Sequence, residues 1–493
     1  MDVIVESLGY LFTLENLIFV NFGTFMGIIV GAIPGISGAL GIAVFLPFTF
    51  TLSPVAALLM LCGIFFGANF GGSISSILIN TPGTNGAVAA LLDGYPLTKK
   101  GFPLKALSLA LVASVVGGTI SSLSLLLFAP QIGRFALRIG APEYFALALF
   151  GLSIIASVSG KSLLKGLVSG ALGMLLATVG IDGISGMTRF TFGNIQMFNG
   201  IRLVAVLLGV YAIASLIGRV NGTEQVGQAS VLKGGSADDR LTRQEIISVA
   251  PIMAKSSAIG ALIGAIPGPG SAVASFIAYN EAKRTAKPGE KFGEGELKGL
   301  AAPESANSGA TASNLIPLLT LGIPGDAVTA VLVGAFTMHG IVVGPRLFET
   351  DGALVYAMMI GFVLSQVFIY LQGRYLMPVF VRITHVPQDL LTAMLMIVCS
   401  AGAFAIANNV FELRVMLIFG VVAYVIAKLG FPAVPIVLGM VLGPIAESNL
   451  RNALTLSNGS WAIFVQRPIS LAVIVLTFVL LYMIKKNSKK ISG

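Results

Sequence analysis

The chain has 493 residues, of which 56% are hydrophobic and only 10% charged, and its mean hydropathy is +0.93. Soluble domains carry roughly 25% charged residues, so this composition excludes a soluble globular protein and defines a polytopic helical membrane protein. The net charge of +9 does not mark a nucleic-acid binder, because the basic residues fall in short loops and near the C-terminus, with no basic stripe or stacking platform.

In chain order, the start carries Asp2, Glu6 and Glu15 and no lysine or arginine before Lys99. No removable signal peptide is expected there, and an external N-terminus is. Apolar runs follow at 106–128, 203–217, 391–406 and 471–484. A helix of about 20 residues crosses a hydrocarbon core of about 30 Å, and the pattern predicts roughly 10 to 14 membrane segments. Cys62 and Cys399 lie in apolar stretches without metal or redox spacing and read as packed small residues. Lys485, Lys486, Lys489 and Lys490 follow the last apolar run and are expected to anchor a cytoplasmic end.

Several apolar segments are broken, and at matching places. Gly31-Ala-Ile-Pro-Gly35 recurs as Gly264-Ala-Ile-Pro-Gly268, with the prolines at 34 and 267, an offset of 233. Thr81-Pro-Gly83 and Ile323-Pro-Gly325 form a second pair at an offset of 242, and Asn69-x-Gly-x-Ser73-x-Ser75 and Asn307-x-Gly-x-Thr311-x-Ser313 a third at 238. Breaks free backbone N–H and C=O groups that lipid cannot satisfy, so they persist where protein, water or ligand supplies partners. The expected organisation is a first inverted membrane repeat at 1–220, a polar linker at 221–245, a second inverted membrane repeat at 246–486 and a cytoplasmic tail at 487–493.

Charge placement sets the inversion. After the first motif, residues 49–54 contain no basic residue, whereas the second motif is followed by Lys283, Arg284, Lys287, Lys291 and Lys298. The relation reverses after the second landmark: Lys99, Lys100 and Lys105 in one half face Arg346, Glu349 and Asp351 in the other. Lys255 and Lys283 bracket Pro267 and leave arms of about 12 to 15 residues, short for a full span, so a re-entrant hairpin is expected. The fold class is therefore an all-α polytopic membrane protein of two inverted-topology repeats with re-entrant hairpins or broken helices.

The tips carry the chemistry. Glycine and proline expose backbone groups, and the helix beginning beyond each tip presents free N–H groups to an anion. The substrate-binding candidates are Pro34, Gly35, Ser37, Gly38, Thr81, Pro82, Gly83, Asn85, Pro267, Gly268, Gly270, Ser271, Pro324 and Gly325, with Thr84 as a further hydroxyl donor. Hard oxygen ligands for a sodium ion are sought in Asn69, Ser73, Ser75, Glu304, Asn307, Thr311, Ser313 and Asp326; no transition-metal site and no organic cofactor are expected.

Plainer readings stand beside these. The Gly27-x-x-x-Gly31 and Gly260-x-x-x-Gly264 spacings are those of close helix packing. Glu304 has no counterpart carboxylate, since Phe66 stands 238 positions earlier; it is a proton or cation site, or a cap beside Pro303. Asp326 is placed to cap a helix beginning at Ala327; Asp182, like Glu304 and Asp326, is an ionisable residue in apolar context that is either functional or in a wet loop; His339 and His385 are at loop or interface positions, and Tyr10 and Trp461 are weak interface markers. The enzyme alternative is an intramembrane serine protease with Ser37 of Gly35-Ile-Ser-Gly38 as nucleophile and His339 or His385 as base. The same short pattern recurs at Gly183-Ile-Ser-Gly186, and the position equivalent to Ser37 lies in Gly-Pro-Gly-Ser, which favours a ligand-binding tip over a nucleophile.

Gly31-Ala-Ile-Pro-Gly-Ile-Ser-Gly38, Gly264-Ala-Ile-Pro-Gly-Pro-Gly-Ser271, Pro303-Glu-Ser-Ala-Asn307 and Leu321-Gly-Ile-Pro-Gly-Asp326 together resemble the large permease subunit of the bacterial tripartite tricarboxylate transporters, over nearly the whole chain. The resemblance implies a secondary transporter in the bacterial inner membrane, not an enzyme, driven by sodium or alternatively by protons. It implies as partners a small integral-membrane subunit and a periplasmic solute-binding protein that delivers citrate or another carboxylate, and an elevator movement of the hairpins; a homo-oligomer is left open. No arginine lies in either tip, so a tricarboxylate would be neutralised by helix ends, hydroxyls, amides and a co-transported cation.

Overall fold

The computed structural model describes residues 2–33, 36–158, 162–220, 239–383, 388–407 and 409–491. Helices begin where caps dictate. After α1 (Asp2–Leu11), Thr13 accepts the Asn16 N–H and starts α2 (Leu14–Ala32), which stops at the first Pro-Gly break. Ser37 caps α3 (Gly38–Phe45) by accepting the Leu40 N–H at 3.2 Å, and a 3-10 turn (Leu46–Thr51) continues it. Ser53 and Pro54 start α4 (Pro54–Ile79), which is buried along its length and ends on left-handed Asn80. A 3-10 turn (Asn85–Val88), α5 (Leu91–Lys99), α6 (Pro103–Ala136), α7 (Ala141–Val158) and α8 (Leu163–Ala177) follow. Strands β1 (Gly180–Ile181) and β2 (Thr188–Arg189) pair antiparallel, and α9 (Leu203–Leu207), a π-helical segment (Leu208–Ile213) and α10 (Ala214–Val220) come next.

The remaining helices are α11 (Arg243–Gly264), α12 (Gly270–Arg284), α13 (Leu297–Thr311), α14 (Leu315–Leu321), α15 (Ala327–Met338), α16 (Leu347–Thr350), α17 (Gly352–Tyr375), α18 (Met377–Ile383), α19 (Gln388–Ala407), α20 (Val410–Lys428), α21 (Val434–Leu456), α22 (Ile463–Gln466) and α23 (Pro468–Ile491). Among the described residues, six helices (α2, α4, α6, α11, α17 and α20) are long and apolar enough to cross a membrane, and shorter apolar helices accompany them.

The corresponding halves pack alike. A Cβ on Gly31 of α2 would come within 2.2 Å of the Ala68 carbonyl of α4, and one on Gly264 of α11 within 2.6 Å of the Ala310 carbonyl of α13. Gly27 and Gly260 sit equally close to Ile64 and Ala306, so these glycines let backbones touch, as their spacing indicates. The two Pro-Gly turns also match: Gly83 rests on Gly72, and Gly325 on Asn314, pairs 242 positions apart.

Loops meet crosswise between the halves. Residues 53–55 share a cleft with 348–354, whereas Asp93 of α5 holds the loop before α13, accepting the N–H groups of Gly293, Gly295 and Glu296 at 2.9, 2.8 and 2.7 Å. Asp93 also accepts the Tyr279 hydroxyl of α12 at 3.0 Å.

Three boundaries differ from expectation. The arm before Pro267 is a 22-residue helix, because the Thr242–Glu245 capping box starts α11 early, and Lys255 lies inside it, paired with Glu281 at 2.6 Å. Of the expected linker, 221–238 lie outside the described residues, while 239–245 are docked: Asp239 accepts the N–H groups of Leu104 and Lys105 at the start of α6, and Glu245 pairs with Lys105 at 2.8 Å. Helix α23 continues to Ile491, past the start of the expected tail.

Candidate functional site

Four helical segments begin at one pocket of about 320 Å³. Ser37, Gly38 and Ala39 come from the start of α3; Gly268, Gly270 and Ser271 from the start of α12; Thr84, Asn85 and Gly86 from the 3-10 turn; Asp326, Ala327 and Val328 from the start of α15. Phe65 and Asn69 of α4, Tyr211 of the π-helical segment and Val434 complete the wall. The arrangement follows from the breaks: each Pro-Gly or Gly-rich turn ends one helix and lets the next start with its N–H groups aimed inward.

No lysine or arginine lines the pocket. The positive ends of helices are the available counter-charge for an anion, and Ser37, Asn85 and Ser271 add neutral polar groups. Asp326 brings a carboxylate, but its oxygens are engaged. Oδ1 accepts the Thr329 N–H at 2.8 Å and the Thr329 hydroxyl at 2.9 Å, and Oδ2 accepts the Asn314 amide at 2.8 Å. It caps α15, as its place before Ala327 predicts. The hydroxyls of Thr84 and Tyr211 are buried at the pocket with no protein partner.

Of the substrate-binding candidates, Ser37, Gly38, Asn85, Gly268, Gly270 and Ser271 line the pocket. Gly268 and Gly270 have φ of +108° and +62°, backbone that favours glycine. Pro34 and Gly35 lie outside the described residues. Thr81, Pro82, Gly83, Pro267, Pro324 and Gly325 do not line it. Thr81 instead donates to the Ile79 carbonyl at 3.2 Å, Gly83 N–H donates to the Gly72 carbonyl at 3.3 Å, and Gly325 accepts the Gly268 N–H at 2.8 Å, so these turns buttress the tips.

Of the cation candidates, Asn69 and Asp326 line the pocket. Ser73, Glu304, Asn307 and Thr311 are buried between α4 and α13: Ser73 donates to Glu304, and the Asn69 amide donates to Thr311. Ser75 is drawn to the Gly72 carbonyl at 3.1 Å and Ser313 to Ser121 at 3.1 Å, away from that group. Among the described residues no three His, Cys, Asp or Glu side chains come together to hold a metal.

The protease constellation does not assemble in the described residues. Ser37 Oγ caps α3, His339 Nε2 pairs with Thr49 at 3.2 Å, and no histidine lines the pocket; His385 lies outside the described residues. Asp182 sits in the loop after α8, held by Arg451 at 2.8 Å, beside an Arg189–Glu447 pair at 2.7 Å. Sequence reasoning missed Tyr211, Phe65, Gly86 and the Asp93 clamp. A lone tyrosine at the centre of the apolar run 203–217 was the available signal for the first; nothing local marked Asp93.

These features define an all-α, multi-pass membrane protein whose polar site is built from helix breaks. Residues 17–438 match the tripartite tricarboxylate transporter TctA family, and the chain belongs to that family of transporter subunits. The family supplies the large subunit of a tripartite transporter, so membership implies partner subunits. The chain is 35% identical over 475 residues to an uncharacterized 52.8 kDa protein in the TAR-I ttuC' 3' region of Agrobacterium vitis, covering 95% of this chain and 94% of the relative. It is 36% identical over 220 residues to an uncharacterized protein in the TAR-II ttuC' 3' region of the same organism, covering 45% of this chain and 91% of the relative. No solved structure matches the chain.

Proposed function

We propose that this subunit carries small di- and tricarboxylates such as citrate inward across the bacterial inner membrane, driven by a sodium gradient, with a small integral-membrane subunit and a periplasmic solute-binding protein. The observation that carries the reading is the convergence of four helix starts on a pocket without lysine or arginine. Backbone N–H groups and hydroxyls recognise carboxylate oxygens, yet their partial charges do not neutralise two or three full negative charges. A co-transported cation supplies the balance. The volume of about 320 Å³ is at the small end of ligand pockets and suits a small metabolite.

The crosswise loop pairing supports inverted repeats. The segment after the first motif lies beside residues 348–354, which follow Ile323-Pro-Gly325, and the basic loop after the second motif is held by Asp93 of α5, a few residues before Lys99 and Lys100. By the positive-inside rule the basic pair is cytoplasmic and the acidic pair external, which makes the pocket reachable alternately from each face if the hairpins move.

Uptake of radiolabelled citrate into proteoliposomes holding all three components tests the proposal. Uptake that requires both an inward sodium gradient and the binding protein is expected, and Gly268→Leu should abolish it while leaving the protein in the membrane. Uptake independent of any cation gradient would sink the coupled mechanism, and failure with citrate but success with a competing dicarboxylate would revise the substrate.

A further inference from the structure

We infer that a sodium ion binds between α4 and α13, one layer behind the pocket, with Glu304 Oε1 and Asn307 Oδ1 as ligands. This rests on the sodium-coupled reading above and assigns it a place.

Glu304 is fully buried in α13. Its Oε2 accepts from the hydroxyls of Ser73 on α4 and Ser114 on α6, the latter at 3.3 Å, while Oε1 has no partner. Among the described residues no lysine or arginine pairs with it. A buried carboxylate answered only by two hydroxyls is costly, and a cation at its free oxygen removes that cost. Asn307 follows one turn later on the same helix face and is also fully buried, with both amide atoms unpartnered.

The two helices are bridged on either side of this point, by Ser73–Glu304 and by Asn69–Thr311. Asn307 falls between the bridges in sequence, so the unpartnered oxygens lie in the segment where α4 and α13 already share polar contacts. A proton would occupy one carboxylate oxygen and satisfy at most one further acceptor. An alkali cation takes several hard oxygens at once, and carboxylate, amide and hydroxyl oxygens are all at hand. Asp326 is a poorer choice because both its oxygens are spent on the α15 cap and Asn314.

The location also explains coupling. A Cβ on Gly86 would fall 1.9 Å from Asn307 Oδ1 and 2.6 Å from Ser271 Oγ, and both Gly86 and Ser271 line the pocket. An ion held by Asn307 therefore stands directly behind the residues facing the substrate, where its charge favours a bound carboxylate and orders the tip. By linkage, substrate raises sodium affinity by the same factor.

The test is the thermal midpoint of the purified transporter assembly in lipid nanodiscs, titrated with sodium chloride against choline chloride at constant ionic strength, without substrate, with potassium as control. Wild type should show a saturable rise specific to sodium. Glu304→Gln and Asn307→Ala should each weaken half-saturation by about tenfold or more, while Thr178→Ala, at the half-buried turn that ends α8, keeps the wild-type value. If wild type responds to sodium and both variants respond identically, the site is wrong while sodium coupling stands. If wild type shows no sodium effect on melting or uptake, and Glu304→Gln instead removes a pH-driven uptake, the group is a proton site and both readings fall. Should Glu304→Gln fail to fold, Asn307→Ala, which alters no charge, gives the same readout.

Discussion

Thr84 and Asp326 stand at the same point of the two halves, 242 positions apart, each immediately before a helical segment that starts at the pocket, yet one is neutral and the other charged. The charge of Asp326 is absorbed by the α15 cap and Asn314, whereas the Thr84 hydroxyl is buried without a partner. The halves are thus alike in backbone and unlike in charge. Thr84 lies where an additional carboxylate would meet an anionic substrate. Thr84→Asp is expected to raise the KM for carboxylate uptake by about tenfold or more, a change of about 1.4 kcal/mol; Thr84→Ser should stay near wild type. Initial rates over a concentration series in proteoliposomes read this directly.

Gly86 has no room for a side chain. A methyl there would collide with the side chains of Asn307 and Ser271 at once, so both would have to turn out of the positions they hold. Gly86→Ala is expected to cost about 1–3 kcal/mol of stability and to abolish most uptake. Gly9→Ala, where the space is open, should change neither melting nor transport. Wild-type uptake in Gly86→Ala would show that the floor of the pocket yields more than the packing allows.

Asp93 anchors the basic loop before α13 through three backbone N–H groups, and α12 through Tyr279. An amide that keeps its oxygen toward those three N–H groups loses the negative charge they share and turns an NH2 toward the Tyr279 hydroxyl in place of the acceptor oxygen. Asp93→Asn should lower stability by about 1–3 kcal/mol and loosen the loop enough for trypsin to cut faster after the exposed Lys291. Faster cleavage after Lys291, compared on a gel with wild type, is the expected result; an unchanged digestion pattern would mean that the loop is held elsewhere.

Acid should loosen the loop after α8. Hydrogen bonds from Ser185, Arg451 and the Ile184 N–H hold the Asp182 carboxyl well below the usual range. A depressed folded pKa means the contribution is fully present above the unfolded value of about 3.9 and is lost as pH falls through the lower folded value. Melting midpoints measured from neutral pH downward should fall below about pH 4, and Asp182→Asn should be destabilised at neutral pH with a flatter acid limb. Parallel acid limbs would place the titrating group elsewhere.

Much of the architecture is legible in local residue types. Long apolar runs with few charges mark membrane helices, and Pro34, Pro82, Pro267 and Pro324, each followed by glycine, mark chain breaks because proline lacks an N–H and glycine adopts backbone that other residues avoid. The caps Ser37 and Asp326 follow from the same local rules. The start of α11 is less legible: Lys255 taken alone marks the end of an apolar arm, whereas in the fold it lies inside the helix, paired with Glu281.

Which of those residues meet is another matter. Gly83 and Gly325 share the motif of the tips yet serve as buttresses, Ser75 and Ser313 turn to other partners, and Tyr211 joins the pocket from a π-helical segment that no spacing announced. Asn69 and Thr311, or Asp93 and Gly295, are about two hundred positions apart and become neighbours only when the two halves pack. Local chemistry decides where a helix starts and stops because caps, prolines and glycines act within one turn. The assembly of the pocket and of the buried Glu304–Asn307 pair belongs to the tertiary structure, because α4, packed on α2 through Gly27 and Gly31, and α13, packed on α11 through Gly260 and Gly264, meet only when the two halves come together, where Ser73 bonds Glu304 and Asn69 bonds Thr311.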